Sequence, residues 1–262
     1  MSDKEIVGKA FLDLAKYEED VAKVEDDIEH YRLKMMQPMV ERRDNIIKNI
    51  PEFWKIVLSQ HTSFADFIRA SDFKYIDLID KVKVDWLIIE DPKQYSVGDF
   101  RITLHFNSID DDFNEQTVSK VFKLIKGDIN EGDTDDETEE ERLVSEPVDI
   151  QWPKSYDSIN PSLIEDKHSK EGKKSYRQGM KSFFGWFKWT GKKPGKEFPH
   201  GDSLATLFSE DIYPYCVKYY TEAQRDLEDE EEDDSEDNSS EEPLDLEVES
   251  ESEESDKKRR KI

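Results

Sequence analysis

The chain has 262 residues and a formal net charge of −26 at pH 7. Such an acidic chain repels nucleic acid and anionic membrane surfaces at long range and attracts basic partners, and its length allows one or two domains. The single cysteine excludes an internal disulfide framework, and no run approaches the roughly 18 apolar residues of a membrane span, so we expect a soluble intracellular protein without membrane contact.

A heptad repeat of apolar residues occupies the first part of the chain. Its a and d positions are Val7, Ala10, Leu14, Tyr17, Val21, Val24, Ile28, Tyr31 and Met35. With mostly charged residues between them, this pattern is typical of a coiled-coil seam, on a helix roughly 43 Å long over residues 7–35. Because no other segment carries a matching heptad run, we predict a homodimer in which two copies of this helix pair. The alternative is a long helix that lies on its own domain.

Pro38 stands at the next d position of the heptad. A proline inside a helix removes a hydrogen-bond donor, so we expect the helix to kink or to end there. Helical periodicity resumes at Met39 and continues to Ile50, before Pro51. We assign residues 1–58 to the long dimerisation helix region.

The pattern then changes to a period of two, which indicates strands. The predicted strands are VKVDWLIIE (82–90), DFRITLHF (99–106), SKVFKLIK (119–126) and EPVDIQW (146–152). We expect them to form an antiparallel sheet with one buried face. The acidic stretch 127–142 is predicted to be an exposed loop, and helices should follow to the end of the body. Residues 59–225 are therefore predicted to form an α+β domain.

An acidic segment follows this domain. Residues 226–256 contain 19 acidic residues and no Lys or Arg, and such a segment cannot bury enough apolar surface to offset its ordering entropy. We predict a disordered tail over residues 226–262. It ends in a basic cluster, Lys257, Lys258, Arg259, Arg260 and Lys261. This cluster is either a nuclear localisation signal or a weak neutraliser of the acidic charge.

Residues 167–196 stand out against the acidic background because they hold ten Lys and Arg against one Glu. Aromatic residues are interleaved with these cations in KSFFGWFKW (181–189). Three interpretations are open: a core-forming FFGWF helix with solvated lysines, a nucleic-acid site, and a docking face for an acidic protein partner.

Catalytic and metal-binding patterns are not found in the sequence. The five histidines are scattered, and GKKPGKEF (191–198) lacks the spacing of a phosphate-binding loop. The lone Cys216 lies in an aromatic stretch and is best interpreted as a small core residue. We therefore expect a protein that is not an enzyme and uses no metal or cofactor.

Several segments resemble the nucleosome assembly protein family. They are YRLKMMQPMVERRDNII (31–47), IPEFWKIVLSQH (50–61), DFRITLHF, VFKLIK, KSFFGWF (181–187) and DSLATLFSEDIYPYCVKYYTEA (202–223). The resemblance covers essentially all of residues 5–225 and is closest to the fungal SET-type members. It implies antiparallel pairing of the long helices in a homodimer, with an α+β "earmuff" domain on each chain. It also implies a nuclear histone chaperone that binds core histones and cooperates with a histone acetyltransferase.

These implications direct attention to particular residues. Folded histone contacts are expected at Glu210, Asp211, Tyr213 and Glu222, and the acetyltransferase is expected to dock at Lys173, Lys174 and Arg177. The basic terminal cluster fits a nuclear address, and strong direct binding to bare DNA is not expected. The alternatives are an architectural protein that binds nucleic acid through residues 167–196, or a coiled-coil adaptor.

Overall fold

The structure is a computed structural model that describes residues 3–126 and 141–237. A 45-residue helix, α1, opens the chain at Asp3–Ile47, and the boundary between two compact units falls between Ala223 and Gln224. The other α-helices are α2 (Phe53–Gln60), α3 (Thr62–Ala65), α4 (Phe73–Ile76), α5 (Leu87–Glu90), α6 (Lys170–Met180), α7 (Phe183–Trp186), α8 (Gly201–Thr206) and α9 (Cys216–Asp237). A 3-10 helix covers Lys154–Tyr156 and a π-helix covers Leu207–Ile212. None of the helices in the described ranges combines the length and apolar character needed to span a membrane.

Four antiparallel strands form the sheet in the order β1-β2-β3-β4. Side chains alternate along β2, so that Phe100, Ile102, Leu104 and Phe106 are buried while the residues between them are partly exposed. One face of the sheet is therefore covered, as the period of two predicts. The strands are β1 (Ile79–Trp86), β2 (Phe100–Phe106), β3 (Gln116–Lys126) and β4 (Glu141–Ser145).

Aromatic side chains from three parts of the sequence meet over the buried face of the sheet. Phe183 and Trp186 of α7 stack with centroids 5.9 Å apart, and Trp186 stacks on Phe122 of β3 at 5.5 Å. Phe64 of α3 meets Phe183 edge to face. Such offset and edge-to-face pairs stabilise the core beyond the area that they bury. The interpretation of FFGWF as a core-forming segment is confirmed, since Phe183, Phe184, Trp186 and Phe187 are all buried.

One row of apolar side chains on α1 packs against the domain of the same chain, and the heptad seam on another side of the helix stays uncovered. Leu33 and Ile47 are buried and Val40 is partly buried against the core, a second set of apolar residues spaced by seven. Val21 is partly exposed and Ala10 is exposed. The other seam residues are each more than half exposed in the single chain: Val7, Leu14, Tyr17, Val24, Ile28, Tyr31 and Met35.

Of the two outcomes expected at Pro38, a kink or an end of the helix, the end does not occur, because α1 continues through this residue to Ile47. Pro38 and Lys34 are both exposed. The carbonyl of Lys34, which would otherwise accept the missing hydrogen bond, can therefore be hydrated, and this lowers the cost of the proline.

One predicted strand and the end of another were wrong, and the predicted domain boundary cuts a helix. The boundary at residue 58 falls inside α2, whose Phe53, Trp54, Val57 and Leu58 belong to the core of the sheet domain. The chain over 87–90 is helical rather than a continuation of β1. The fourth strand is Glu141–Ser145, whereas residues 146–152 form no strand. Apolar alternation alone does not distinguish a strand from an extended segment that packs on the core.

The tail prediction needs one correction. Helix α9 runs to Asp237, so residues 226–237 are helical, and the rest of the predicted tail lies outside the described residues. The first turns of α9 are already fixed by packing at Cys216 and Ala223. Adding further residues to an existing helix costs far less than nucleating one, so an acidic segment can continue it. Most of the predicted acidic loop, residues 127–140, also lies outside the described part of the chain.

Lys120 of β3 is a fully buried cation that joins three segments. Its Nζ donates to the carbonyl oxygens of Glu146 (2.9 Å), Phe187 (3.1 Å) and Trp189 (2.8 Å). The three N–H donors of an ammonium group match these three acceptors. Burial lowers the pKa of Lys120 to about 7, the positive charge of Lys188 adds to the decrease, and Glu197 and Glu146 oppose it.

Lys120→Met is expected to lower the free energy of unfolding by about 2 kcal/mol or more, because three buried carbonyl groups lose their donor. The folded-state pKa lies below that of the unfolded chain. In the native protein the unfolded state therefore binds more protons between about pH 7 and 10, and stability rises with pH in that window. The variant should lose this rise.

Denaturant unfolding at pH 7 and pH 9 checks both expectations. Lys81→Met, at an exposed position of β1, is the control and should leave the stability and its pH dependence nearly unchanged. Equal stability of Lys120→Met and the native protein would contradict the role given to Lys120.

Candidate functional site

An open cleft lies between the C-terminal half of α1 and the sheet domain. We call it the α1 cleft, and its volume is about 690 Å³. Met36 and Met39 of α1 line one wall, and Tyr215, at the turn before α9, lies on the opposite side. These three side chains are 46%, 55% and 56% exposed. The cleft thus offers apolar area that the described part of the chain does not cover.

The predicted contacts Glu210 and Asp211 point into different surroundings. Glu210 is exposed, lines the α1 cleft, and makes no ion pair or hydrogen bond within residues 3–126 and 141–237. Both carboxylate oxygens of Asp211 are occupied: Oδ2 lies 3.2 Å from His61 Nε2, and Oδ1 accepts from the Tyr219 hydroxyl at 2.6 Å. Glu210 is available to a partner, whereas Asp211 mainly holds its own fold together.

His61 explains why Asp211 is needed inside the domain. The His61 ring is buried, and its Nδ1 accepts a hydrogen bond from the backbone N–H of Phe64. Nε2 is then the nitrogen that carries the proton and donates to Asp211. Burial, with help from the Asp211 carboxylate, raises the pKa of Tyr219 to about 12. Tyr219 therefore stays a neutral donor at physiological pH.

Tyr213 was predicted as a surface contact, and the structure corrects this, since its side chain is fully buried. Its hydroxyl donates to Asp44 of α1 at 2.5 Å. Arg43 donates to the Tyr213 carbonyl at 2.6 Å, pairs with Asp44, and lies 4.3 Å from the centre of the Tyr213 ring. Burial raises the pKa of Tyr213 strongly. Tyr213 anchors α1 to the domain and so fixes the position of the helix that forms one wall of the α1 cleft.

Glu222 lies on a partly exposed face of α9. Its nearest cation is Lys218, one turn earlier, at 3.9 Å. An ion pair this exposed contributes little to stability. The Glu222 carboxylate can therefore leave Lys218 and pair with a cation of another protein. Of the four predicted histone contacts, Glu210 and Glu222 have exposed carboxylates that no buried side chain holds.

The three predicted docking residues Lys173, Lys174 and Arg177 share the exposed surface of α6. Ser169 caps this helix by accepting from the Gly172 N–H at 3.0 Å. All three side chains line one shallow groove of about 430 Å³. The lysines of this segment are therefore solvated, as one of the three interpretations expected.

Sequence reasoning missed the α1 cleft residues and the anchor behind them. Met36 and Met39 lie outside the heptad seam, and Arg43 and Asp44 follow in ERRDN (41–45). A signal was present, since Leu33, Val40 and Ile47 repeat every seven residues on another side of the helix.

The predicted nuclear cluster, Lys257–Lys261, lies outside the described residues. Among residues 3–126 and 141–237, no group of His, Cys, Asp and Glu side chains could hold a metal ion.

Comparison with known proteins identifies the family. The chain is 64% identical over 234 residues to vacuolar protein sorting-associated protein 75 of Saccharomyces cerevisiae, covering 88% of this chain and 86% of the relative. It is 27% identical to Protein SET of Drosophila melanogaster, over 82% and 70% of the two chains. A crystal structure of Vps75 superposes with a TM-score of 0.75 at 62% identity, covering 83% of this chain and 99% of that one. The model of the nucleosome assembly protein (NAP) family matches residues 14–250, and the chain belongs to this family.

Proposed function

We propose that this protein is a histone chaperone that binds basic core histones through acidic surfaces and so supports nucleosome assembly. Family membership carries the proposal. The physics supports it, because histones bind DNA nonspecifically through the release of condensed counterions. A chain with a net charge of −26 supplies a competing negative field, and the α1 cleft adds a free carboxylate, Glu210, beside exposed apolar area. In this function the protein binds histones and catalyses no reaction.

Two measurements on the purified protein test this function. A pull-down against separated core histones should show binding, and a gel shift should show that histones, but not bare DNA, associate with the protein at physiological salt. Absence of any histone affinity would indicate a coiled-coil adaptor. Tight binding of bare DNA would indicate an architectural nucleic-acid-binding protein.

The functional unit in this proposal is a homodimer with antiparallel α1 helices. Apart from two alanines and the domain-facing Leu33, apolar residues outside the seam occur only towards the two ends of α1. Ile6, Phe11 and Leu12 are exposed at one end, and Met36, Met39 and Ile46 at the other. A second copy packed on α1 would remove exposed apolar area of this kind from water. The antiparallel direction is the one that the resemblance to the nucleosome assembly protein family implies.

We further propose that the protein acts in the nucleus and that Lys257–Lys261 direct its import. Deleting these residues should make a fluorescently tagged protein cytoplasmic while leaving its melting temperature unchanged, because a charged terminal cluster buries no apolar area. Imaging and a thermal melt of the same variant check both parts. A protein that stays nuclear and melts several degrees lower would contradict them.

A histone acetyltransferase is the proposed partner of the exposed α6 surface. Reversing the charges of Lys173, Lys174 and Arg177 to Glu should weaken acetyltransferase binding by about tenfold or more and spare histone binding, since charge reversal on an interface repels the acidic partner that the native charges attract. Titrations of each partner against the triple variant measure both affinities. Equal loss of both would contradict separate surfaces.

A further inference from the structure

A second groove lies along α6. It shares Arg177 with the proposed acetyltransferase-docking surface, and the rest of it has no role in the function proposed above. One wall is α6, the other is the loop over residues 191–200, and Arg142 of β4 stands on its margin. Its volume is about 790 Å³. We call it the α6–loop groove.

Five cationic side chains converge on this groove. They are Arg142, Arg177, Lys181, Lys193 and Lys196. All five are exposed, and none has a hydrogen bond or ion pair within residues 3–126 and 141–237. Lys188 and Lys192, in the same basic segment, differ because they pair with Asp149 and Glu146. The groove therefore brings together five cations that have no counter-charge within the described residues.

The two carboxylates that line the groove, Glu197 and Asp202, offset only part of the charge of its five cations. Glu197 is used inside the loop, where its oxygens accept from the backbone N–H groups of Thr190 (2.8 Å) and Gly191 (2.9 Å) and from the Thr190 hydroxyl. This leaves Asp202 as the one lining carboxylate without a bond inside the described ranges. Glu197 therefore fastens the loop, and with five cations against two carboxylates the groove keeps a net positive charge.

The groove is also apolar at its base. The ring of Trp189 and the side chains of Met180 and Phe198 form the buried floor, and Tyr176 of α6 is partly exposed above it. The loop keeps its shape through turns at Gly191 and Gly195, whose φ angles are +74° and +71°. A preformed site that combines a few convergent charges with an apolar floor suits a specific ligand better than a diffuse charged surface does.

From this geometry we infer that the α6–loop groove binds an acidic peptide segment of a partner protein, with an apolar side chain placed on the Trp189–Phe198 floor. Acidic side chains would pair with the five cations. A nucleic acid is disfavoured, because its phosphates continue beyond the groove and meet a body, residues 1–225, whose net charge is about −12. This inference concerns a site and a ligand distinct from histone binding.

The test is a fluorescence anisotropy titration of the full chain with a short labelled peptide of alternating Asp and Leu, near 0.15 M salt. Lys193→Glu with Lys196→Glu should weaken peptide binding by about tenfold or more. Lys173→Glu with Lys174→Glu changes the net charge equally, outside the groove, and should weaken it by less than about threefold. A peptide of alternating Asp and Ser, which keeps the charge and removes the apolar contact, should also bind more weakly than the Asp-Leu peptide.

Three outcomes would overturn the inference. Equal losses of peptide affinity in the two double variants would mean that the peptide responds only to the net charge of the protein. Equal affinities for the two peptides would remove the role of the apolar floor. A single-stranded oligonucleotide of the same charge that binds more tightly than the Asp-Leu peptide would make the groove a nucleic-acid site. Histone binding should be unchanged by Lys193→Glu with Lys196→Glu, which separates this site from the proposed chaperone function.

Discussion

Replacing Leu14, Val21 and Ile28 with Asp is expected to convert the dimer into a monomer. Leu14 and Ile28 are more than half exposed in the single chain, and in the paired helices the seam would be dry. Burying an unpaired carboxylate there costs at least about 2 kcal/mol per residue in each chain, a large loss for a single two-helix interface. Sedimentation velocity of the triple variant measures the mass of the particle.

A matched control is available on the side of α1 away from the seam. Gly8, Ala15 and Ala22 are neutral and exposed, and all three occupy the b position of the heptad. Replacing them with Asp changes the net charge equally and should leave the dimer intact. A seam variant that still sediments as a dimer would show that the two copies are not held together by this seam.

Glu210→Lys is expected to weaken histone binding by about fivefold to tenfold, at both 0.1 M and 0.5 M salt. Glu210 lies beside the exposed apolar side chains of Met36, Met39 and Tyr215 in the α1 cleft, so a bound histone would exclude water from the contact. Truncation after Arg225, which removes 19 carboxylates, should weaken binding about twofold to fivefold at 0.1 M salt. It should have almost no effect at 0.5 M, where long-range charge interactions are screened.

The choice of Glu210 alone follows from the surroundings of its neighbour. Reversing Asp211 would remove the acceptor of His61 and Tyr219, so a loss of binding could arise from unfolding. Asp111→Lys, at an exposed turn outside the cleft, is the control with the same charge change and should have little effect. Complete loss of histone affinity on truncation would place the binding site in the tail and contradict the assignment to the cleft.

Local patterns were enough for much of the fold. The period of two located β2 and most of β3, because alternation of buried and exposed residues is a direct result of strand geometry. The same reasoning failed over residues 146–152, where Val148 and Ile150 pack on the core without joining the sheet. Packing on a core and pairing in a ladder produce similar apolar patterns, so the sequence could not separate them.

The candidate site was harder to predict than the fold. Glu210, Asp211 and Tyr213 are close in sequence and all three are expected histone contacts, yet one is exposed, one is bonded to His61, and one is buried against Asp44. These differences depend on contacts with residues about 150 to 170 positions away. Neighbouring residues on a helix face different directions, and only the tertiary structure decides what each direction meets.

The sequence by itself determined the long helix with its apolar seam, the single-faced sheet and the acidic character of the chain. Each of these follows from local periodicity or from composition, which are properties of the chain before it folds. Leu33, Val40 and Ile47 repeat every seven residues, but the tertiary structure decided that they hold α1 against its domain. It alone brought Met36, Met39, Tyr215 and Glu210 into one cleft. It also decided which lysines of the basic segment are neutralised, since Asp149 and Glu146 reach Lys188 and Lys192 from about 40 residues away. Pairings between distant segments are selected by the packing of the whole core, and no local pattern encodes them.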